Sequence, residues 1–351
     1  MFERAEIDFT CHTEIGLEGR NSKVFLATDR QLDAEIVAKR INREDFTDEE
    51  EFFVEAKRLY DARHPHVVPV KFACRTKDFV FIAMPLYEGG SVHSLLKRRH
   101  LTVREIVRIG LDFLTGLHHV HLRGLIHFDV KPSNVLLDAS GQAAIADFGL
   151  AKYVDDHGLA ERQRMYTPHR PPEGFAYGGV YGQPADIYQA GLTLYRMAVG
   201  LDAFDYQWAA FGSDDIAAAK AVIAGKLPDR TASAYPAHIP GRLRNAIRTA
   251  LQVDPDDRYR EVLRLINDLG GVDEWLDWRY EHADEVERWT TRTETHEKVI
   301  QLTELSHRSF EVRAKTIRLD DRKERNDHKL SGDADRRPRA HRLVQSALTS
   351  L

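Results

Sequence analysis

The stretch HFDVKPSNVLL sets a carboxylate, an ammonium and an amide close together as Asp129, Lys131 and Asn134, and Asp147 follows in IADFGLA. Oxygen ligands of this kind suit Mg²⁺, which keeps several waters and takes its remaining ligands from carboxylates and phosphates. If Asn134 and Asp147 serve the ion, Asp129 is left to accept a proton from an attacking hydroxyl. Phosphoryl transfer asks little more of a protein than positioning, charge neutralisation and a weak base. Upstream, Gly16, Gly19, Ser22 and Val24 in IGLEGRNSKVFLATD mark a turn whose backbone N–H groups can approach phosphate oxygens closely. A plain glycine hairpin has the same composition. Lys39 in IVAKR, fifteen residues after Val24, has apolar neighbours, so it is either an edge residue or a phosphate ligand, and Glu55 can reach back to pair with it.

The elements that must position these groups follow from the pattern. Ser22 to Thr28, Ala34 to Ile41, HPHVVPV and Phe79 to Pro85 read as strands, and Asp45 to Ala62 as a helix. GGS at Gly89 to Ser91 is a turn, and helices dominate beyond it. The clearest carries Ile106, Ile109, Phe113, Leu117 and Val120 on one apolar stripe, and others fit Asp186 to Gly200, Asp214 to Ala224 and Arg242 to Gln252. Strands come first, helices after, and a polar tail starts near Gly271.

At 351 residues, with 42% apolar and 30% charged residues, the chain has an ample core, and its net charge of -5 gives no global reason to bind nucleic acid or an anionic membrane. Cys11 and Cys74 are too few for a disulfide framework and suggest a reducing compartment. The longest apolar run, Phe79 to Leu86, is far short of the roughly 20 residues that span a bilayer. A soluble, cytoplasmic protein with no membrane partner is expected.

In this order, the motifs resemble the eukaryotic-like Ser/Thr protein kinase family, in the form met in bacteria, over about Phe9 to Gly270. The resemblance implies a two-lobed α+β fold, with a β-rich N-lobe carrying one helix over about 9–86 and a larger, mainly helical C-lobe over about 87–270. It implies ATP and Mg²⁺ as cofactors and protein Ser/Thr hydroxyls as acceptors. Position by position, Lys39 resembles the lysine on the α and β phosphates, Glu55 its helix partner and Met84 the residue behind the adenine pocket. Pro85, Leu86 and Tyr87 match the hinge, Gly16, Gly19, Ser22 and Val24 the loop over the phosphates, and Asp129 the catalytic base. Lys131 resembles the γ-phosphate lysine, Asn134 and Asp147 the metal ligands, and Asp186 the aspartate that holds the catalytic loop. The PPE ending in Glu173 stands where members have APE, with Arg258 as the arginine that pairs with it.

Departures from the family pattern carry expectations of their own. Ser22 replaces the third loop glycine, and His169 stands where a tyrosine is expected before the PPE, or one residue is deleted there. HFD takes the place of HRD, the non-RD pattern. Phe128 cannot pair with a phosphate, so an apolar contact is expected to hold the catalytic loop, with activity independent of phosphorylation between Asp147 and Glu173. Lys152 and Arg170 keep the ordinary activation scheme open. His118, His119 and His121 are expected on a solvated helix face, and Cys11 and Cys74 as buried or half-buried thiols.

Residues 271–351 divide by charge, with seven acids to one base in Asp273 to Glu287 and twelve bases to seven acids in Arg308 to Arg342. The segment to about Trp289 is expected to pack on the C-lobe and the rest to be held more loosely, with a small hairpin in KVIQLTEL and SFEVRAKTIRL and a helix in RLVQSALTSL. A regulatory partner acting through this tail is left open, and a nucleic-acid partner is not expected. The alternatives to an active kinase are a scaffold that binds nucleotide without transfer, and a kinase domain that regulates a binding tail.

Overall fold

Alternation of β-branched and apolar residues with polar ones builds an antiparallel five-stranded sheet, β1 (Phe9–Gly16), β2 (Ser22–Asp29), β3 (Ala34–Asn42), β4 (Phe72–Arg75) and β5 (Phe79–Pro85), in the order β1-β2-β3-β5-β4. The computed structural model describes residues 6–16, 22–46, 53–161, 165–176, 179–211, 215–306 and 308–351. Gly19 of the expected phosphate loop, residues 47–52 of the expected helix Asp45 to Ala62 and Asp214 lie outside the described residues, while Asp45 ends a short 3-10 turn (Arg43–Asp45) and Phe46 is extended, so the helix does not begin there. Helix α1 (Val54–Asp61) buries Ala56 and Leu59 in the core cluster that also holds Ile82 of β5. HPHVVPV is not a strand. Pro65 and Pro69 supply no N–H to a ladder, and the segment makes one parallel bridge, Val67 to Ile145. There the His66 carbonyl accepts from Ile145 N at 2.9 Å and presses on Gly116, where a Cβ would meet it at 2.2 Å.

The C-lobe comprises β6 (Gly90–Ser91), α2 (Val92–Leu96), α3 (Val103–Leu122), β7 (Leu125–Ile126), β8 (Val135–Leu137), β9 (Ala143–Ile145), β10 (Lys152–Tyr153), β11 (Ala160–Glu161), α4 (Pro172–Ala176), β12 (Val180–Tyr181), α5 (Gln183–Val199), α6 (Leu201–Ala209), α7 (Asp215–Ile223), α8 (Gly241–Ala250) and α9 (Val262–Gly270). The apolar stripe of α3 is capped by Thr102 and Glu105, each bonding the other's backbone N–H. Helix α5 is buried on nearly all sides, as expected of a helix at the centre of a large lobe. Two antiparallel pairings, β10 with β7 and β11 with β12, tether the chain that follows Asp147.

Beyond α9 the tail is a second ordered unit rather than a loosely held segment. Strands β13 (Arg279–Ala283), β14 (Val286–Arg292), β15 (His296–Ser306), β16 (Ser309–Arg318), β17 (Glu324–Asn326) and β18 (Gly332–Ala334) form one antiparallel sheet. The two segments expected as a hairpin are β15 and β16. The sheet closes on α10 (Arg337–Ser350), with Ile300, Leu302, Phe310 and Val312 against Ala340, Val344 and Leu348. Fully buried Trp289 belongs to that core and donates from Nε1 to His238 Nδ1 of the C-lobe at 3.0 Å. Arg104 at the start of α3 grips Asp277 with two bonds of 2.6 and 2.8 Å. Of the two thiols, Cys74 is half-buried as expected, packed against Ala27, Ile36, Ala38, Phe81 and Ala83, whereas Cys11 lies outside that cluster and is exposed, against expectation. Among the described residues no helix is long and apolar enough to cross a membrane.

Candidate active site

Strand β3 carries Lys39 inward, opposite Ile82 in β5. Its ammonium lies 2.7 Å from Glu55 of α1 and 2.8 Å from Asp147 Oδ1. Burial alone pushes the Lys39 pKa down, but the charges of Asp147 and Glu55 and the hydrogen bonds to both outweigh it, and the ammonium is held above its ordinary value. Glu55 is pushed up by burial, which the nearby lysine only partly offsets. Asp147 moves down to about 2: burial opposes its charge, yet the Lys39 ammonium, its hydrogen bond and the N–H of Gly149 prevail. Both carboxylates therefore share one cation, and the side chain of Asp147 stays 42% exposed to the cleft.

The catalytic-loop candidates are set by a polar stripe on an otherwise apolar helix. Asp186, Gln189, Thr193 and Arg196 recur at helical spacing along α5 and are all buried. Asp186 accepts from the N–H of His127 at 2.7 Å and of Phe128 at 2.8 Å. Gln189 donates to Phe128 O at 3.1 Å and accepts from Val130 N at 3.0 Å. This bracket holds Phe128 in the left-handed region, φ 64°, which a bulky residue adopts only under tertiary constraint. His121 is the correction to the expected solvated face: it is buried at the end of α3, its Nε2 2.8 Å from Asp186 Oδ2. His118 and His119 are part-exposed, and no group of three His, Cys, Asp or Glu suited to a metal occurs among the described residues.

Within the loop, Asp129 Oδ2 receives Asn134 Nδ2 at 2.8 Å and lies 3.0 Å from Lys131 Nζ. Asp129 Oδ1 is buried and has no hydrogen-bond partner. Such an atom is an acceptor awaiting a donor. Asn134 spends its amide N–H on Asp129 O and Oδ2, leaving its side-chain oxygen for a ligand, and its backbone carbonyl takes Ala146 N at 2.8 Å, which draws Asp147 alongside. An oxygen donor on each loop, beside a cleft-facing carboxylate, fits a hard cation. Lys131 lies 4.9 Å from the centre of the Tyr166 ring.

Of the remaining expected residues, Met84 lies one residue before the end of β5, opposite Val37, Pro85 closes the strand opposite Ile36 and Leu86 and Tyr87 follow, with Val24 opposite Lys39 in the neighbouring β2–β3 pair. Gly16 closes β1 and Ser22 opens β2. Away from the cleft, Glu173 takes two bonds from Arg258, at 2.9 and 2.6 Å, and the guanidinium also donates to the carbonyls of Gln252, Pro184 and Val253. Phe128 is fully buried among Ile126, Ala160, Met165, Tyr181 and Ala185, edge-on to Tyr181 at 5.8 Å. Gln189, Thr193 and Arg196 escape sequence reasoning, and their visible signal is polar residues at helical spacing inside the apolar run of α5; the bond from His121 of α3 to Asp186 has no such signal.

The protein kinase domain model matches residues 9–265. A probable serine/threonine-protein kinase of Clostridium perfringens is 30% identical over 259 residues, 72% of this chain and 36% of that protein. Serine/threonine-protein kinase PknD of Chlamydia caviae is 29% identical over 310 residues, 78% of this chain and 32% of that protein. CBL-interacting protein kinase 8 of Oryza sativa is 29% identical over 227 residues, 64% of this chain and 47% of that protein. The chain thus spans about a third of the length of these two bacterial relatives.

Proposed function

The chain belongs to the protein kinase family, and on that premise we propose that it transfers the γ-phosphate of ATP, with Mg²⁺, to Ser or Thr hydroxyls of protein substrates. The observation that carries this reading is the shared Lys39–Glu55–Asp147 cluster beside an Asp129 whose Oδ1 is buried and unpartnered. Bound ATP would supply the phosphoryl group and Mg²⁺ would offset its charge. Lys39 would hold the α and β phosphates, Lys131 the γ-phosphate, and Asn134 and Asp147 the ion. The backbone of Pro85 to Tyr87 would hold adenine in front of Met84, with Gly16, Gly19, Ser22 and Val24 over the phosphates. Asp129 would orient the acceptor hydroxyl and take its proton at Oδ1.

The same reading extends to regulation: the site assembles without phosphorylation of the segment after Asp147. Three contacts support it, none needing a phosphate. They are the apolar seat of Phe128, the β10 and β11 pairings, and the Tyr153 hydroxyl that donates to Asp61 of α1 at 2.8 Å. Any partner of the C-terminal unit would meet a sheet face where Arg288, Arg313 and Lys315 mix with Glu281, Glu311 and Glu324, a pattern suited to a protein more than to a polyanion.

Transfer of labelled phosphate to a generic protein by wild type and Asp129→Asn is the test. The variant keeps the shape, loses the proton acceptor and should be slower by roughly 10²–10⁴-fold with nucleotide affinity little changed. Preserved turnover would remove Asp129 from the role. Phosphatase treatment of the wild type should alter the rate by less than about tenfold, a barrier change of about 1.4 kcal/mol.

A further inference from the structure

His169 stands three residues after Tyr166 and two before Pro171, and its side chain is fully buried. Nδ1 lies 3.2 Å from the carbonyl of Val130, and Nε2 lies 3.3 Å from Arg196 Nη1. A guanidinium can only donate and a carbonyl can only accept, so the ring is fixed as the neutral tautomer with its proton on Nδ1. Arg196 is the last member of the polar stripe on α5, and is anchored by Asp205 at 2.9 Å and by the Phe204 ring at 4.9 Å. The chain of contacts therefore runs from α6 through α5 and His169 to the residue next to Asp129.

We propose that His169 is a positioning residue of the phosphotransfer site, a hydrogen-bonded strut through which the loop ahead of Glu173 sets the peptide between Val130 and Lys131. This rests on the phosphotransfer reading above. The reason is geometric. A peptide is planar, so a donor that fixes the Val130 carbonyl also fixes the Lys131 N–H and the direction in which the lysine leaves the backbone. Gln189 holds the N–H side of Val130 at 3.0 Å, and on the carbonyl side Thr193 Oγ1 is the longer contact, at 3.4 Å. The ring of Tyr166, near the Lys131 ammonium, lies 6.0 Å from the His169 ring, so one loop touches both the strut and the lysine it orients.

The test compares substitutions that separate the two bonds. His169→Asn carries an amide N–H near the place of Nδ1 and keeps the donor to Val130; His169→Leu keeps neither bond. Where Leu does not fold, His169→Gln, which faces Arg196 with an acceptor but leaves Val130 without a donor, takes its place. The expected result is a kcat lowered about tenfold or more in the Leu or Gln variant, the net loss of one buried hydrogen bond, against at most about threefold in the Asn variant. KM for ATP should stay within about twofold in all of them. Amide exchange of residues 127–131 should speed up in the Leu or Gln variant and not in the Asn variant. Equal exchange and equal kcat in the Asn variant and its partner would overturn the strut, as would a change confined to KM for ATP. If the wild type transfers no phosphate, the kinase reading falls and the exchange comparison still decides whether His169 holds the loop.

Discussion

Replacing Phe128 by arginine restores the residue that many kinases carry before the catalytic aspartate, and it should abolish the site rather than add a phosphate switch. The Phe128 ring is fully buried against Ile126, Ala160, Met165, Tyr181 and Ala185, and the carboxylate bonded to its backbone, Asp186, is already taken up by the N–H groups of His127 and Phe128 and by His121. An unpaired guanidinium there pays several kcal/mol of desolvation. The apolar loss alone is measured by Phe128→Ala, where a buried phenylalanine removed without collapse of its site costs about 3–5 kcal/mol, of which the edge-on pair with Tyr181 accounts for about 0.5–1.5 kcal/mol. For a domain of roughly 260 residues each kcal/mol lowers Tm by about 2 °C, so Phe128→Ala should melt roughly 6–10 °C lower. Phe128→Leu, nearer in volume, should cost less than about 1.5 kcal/mol and keep most activity. Thermal melts and phosphate transfer, each before and after phosphatase treatment, test the series. A Phe128→Arg protein with wild-type Tm and activity that appears only when the segment after Asp147 is phosphorylated would refute the reasoning.

Arg258 uses all five of its donors on Glu173 and three backbone carbonyls, so Arg258→Lys, with three donors and no fork, should destabilise by about 3–5 kcal/mol in a melt; a loss under 1 kcal/mol would show that the pair is dispensable. Burial, with His100 nearby, lowers the His238 pKa to about 3, so the unfolded chain binds the extra proton between about 6.5 and 3. Stability contributed by neutral His238 is therefore present above pH 6.5 and is lost as pH falls through that window, by up to about 1.4 kcal/mol per unit. His238→Asn should flatten the drop in Tm between pH 7.5 and 5, and an unchanged slope would assign it to other groups. Deleting 271–351 uncovers Ala237 and the Trp289-facing side of His238, and should lower Tm by several degrees or yield aggregated protein; a fully stable, monodisperse 1–270 fragment would contradict the shared packing.

Much of the site is legible in the chain because its chemistry is local in sequence. Asp129, Lys131 and Asn134 share one loop, and Asp147 stands before a phenylalanine and a glycine, so residue type and spacing alone point to oxygen ligands and a proton acceptor. Strands β2, β3 and β5 and the helix α3 follow from periodicity that burial on one face imposes. What tertiary structure alone decides depends on contacts across dozens of residues. HPHVVPV has strand composition, yet its prolines and the close approach of His66 to Gly116 leave only one bridge. His121 resembles its part-exposed neighbours His118 and His119 until Asp186, 65 residues away, is placed beside it. The tail's charge blocks suggest a solvated segment, whereas the apolar residues between them, too sparse to specify a core by themselves, meet on one face only when six strands align against α10. Phe128 shows both sides: its ring excludes a phosphate partner from sequence alone, and only the fold supplies the apolar seat, because Ile126, the pair Ala160 and Met165, and the pair Tyr181 and Ala185 come from three separate stretches of the chain.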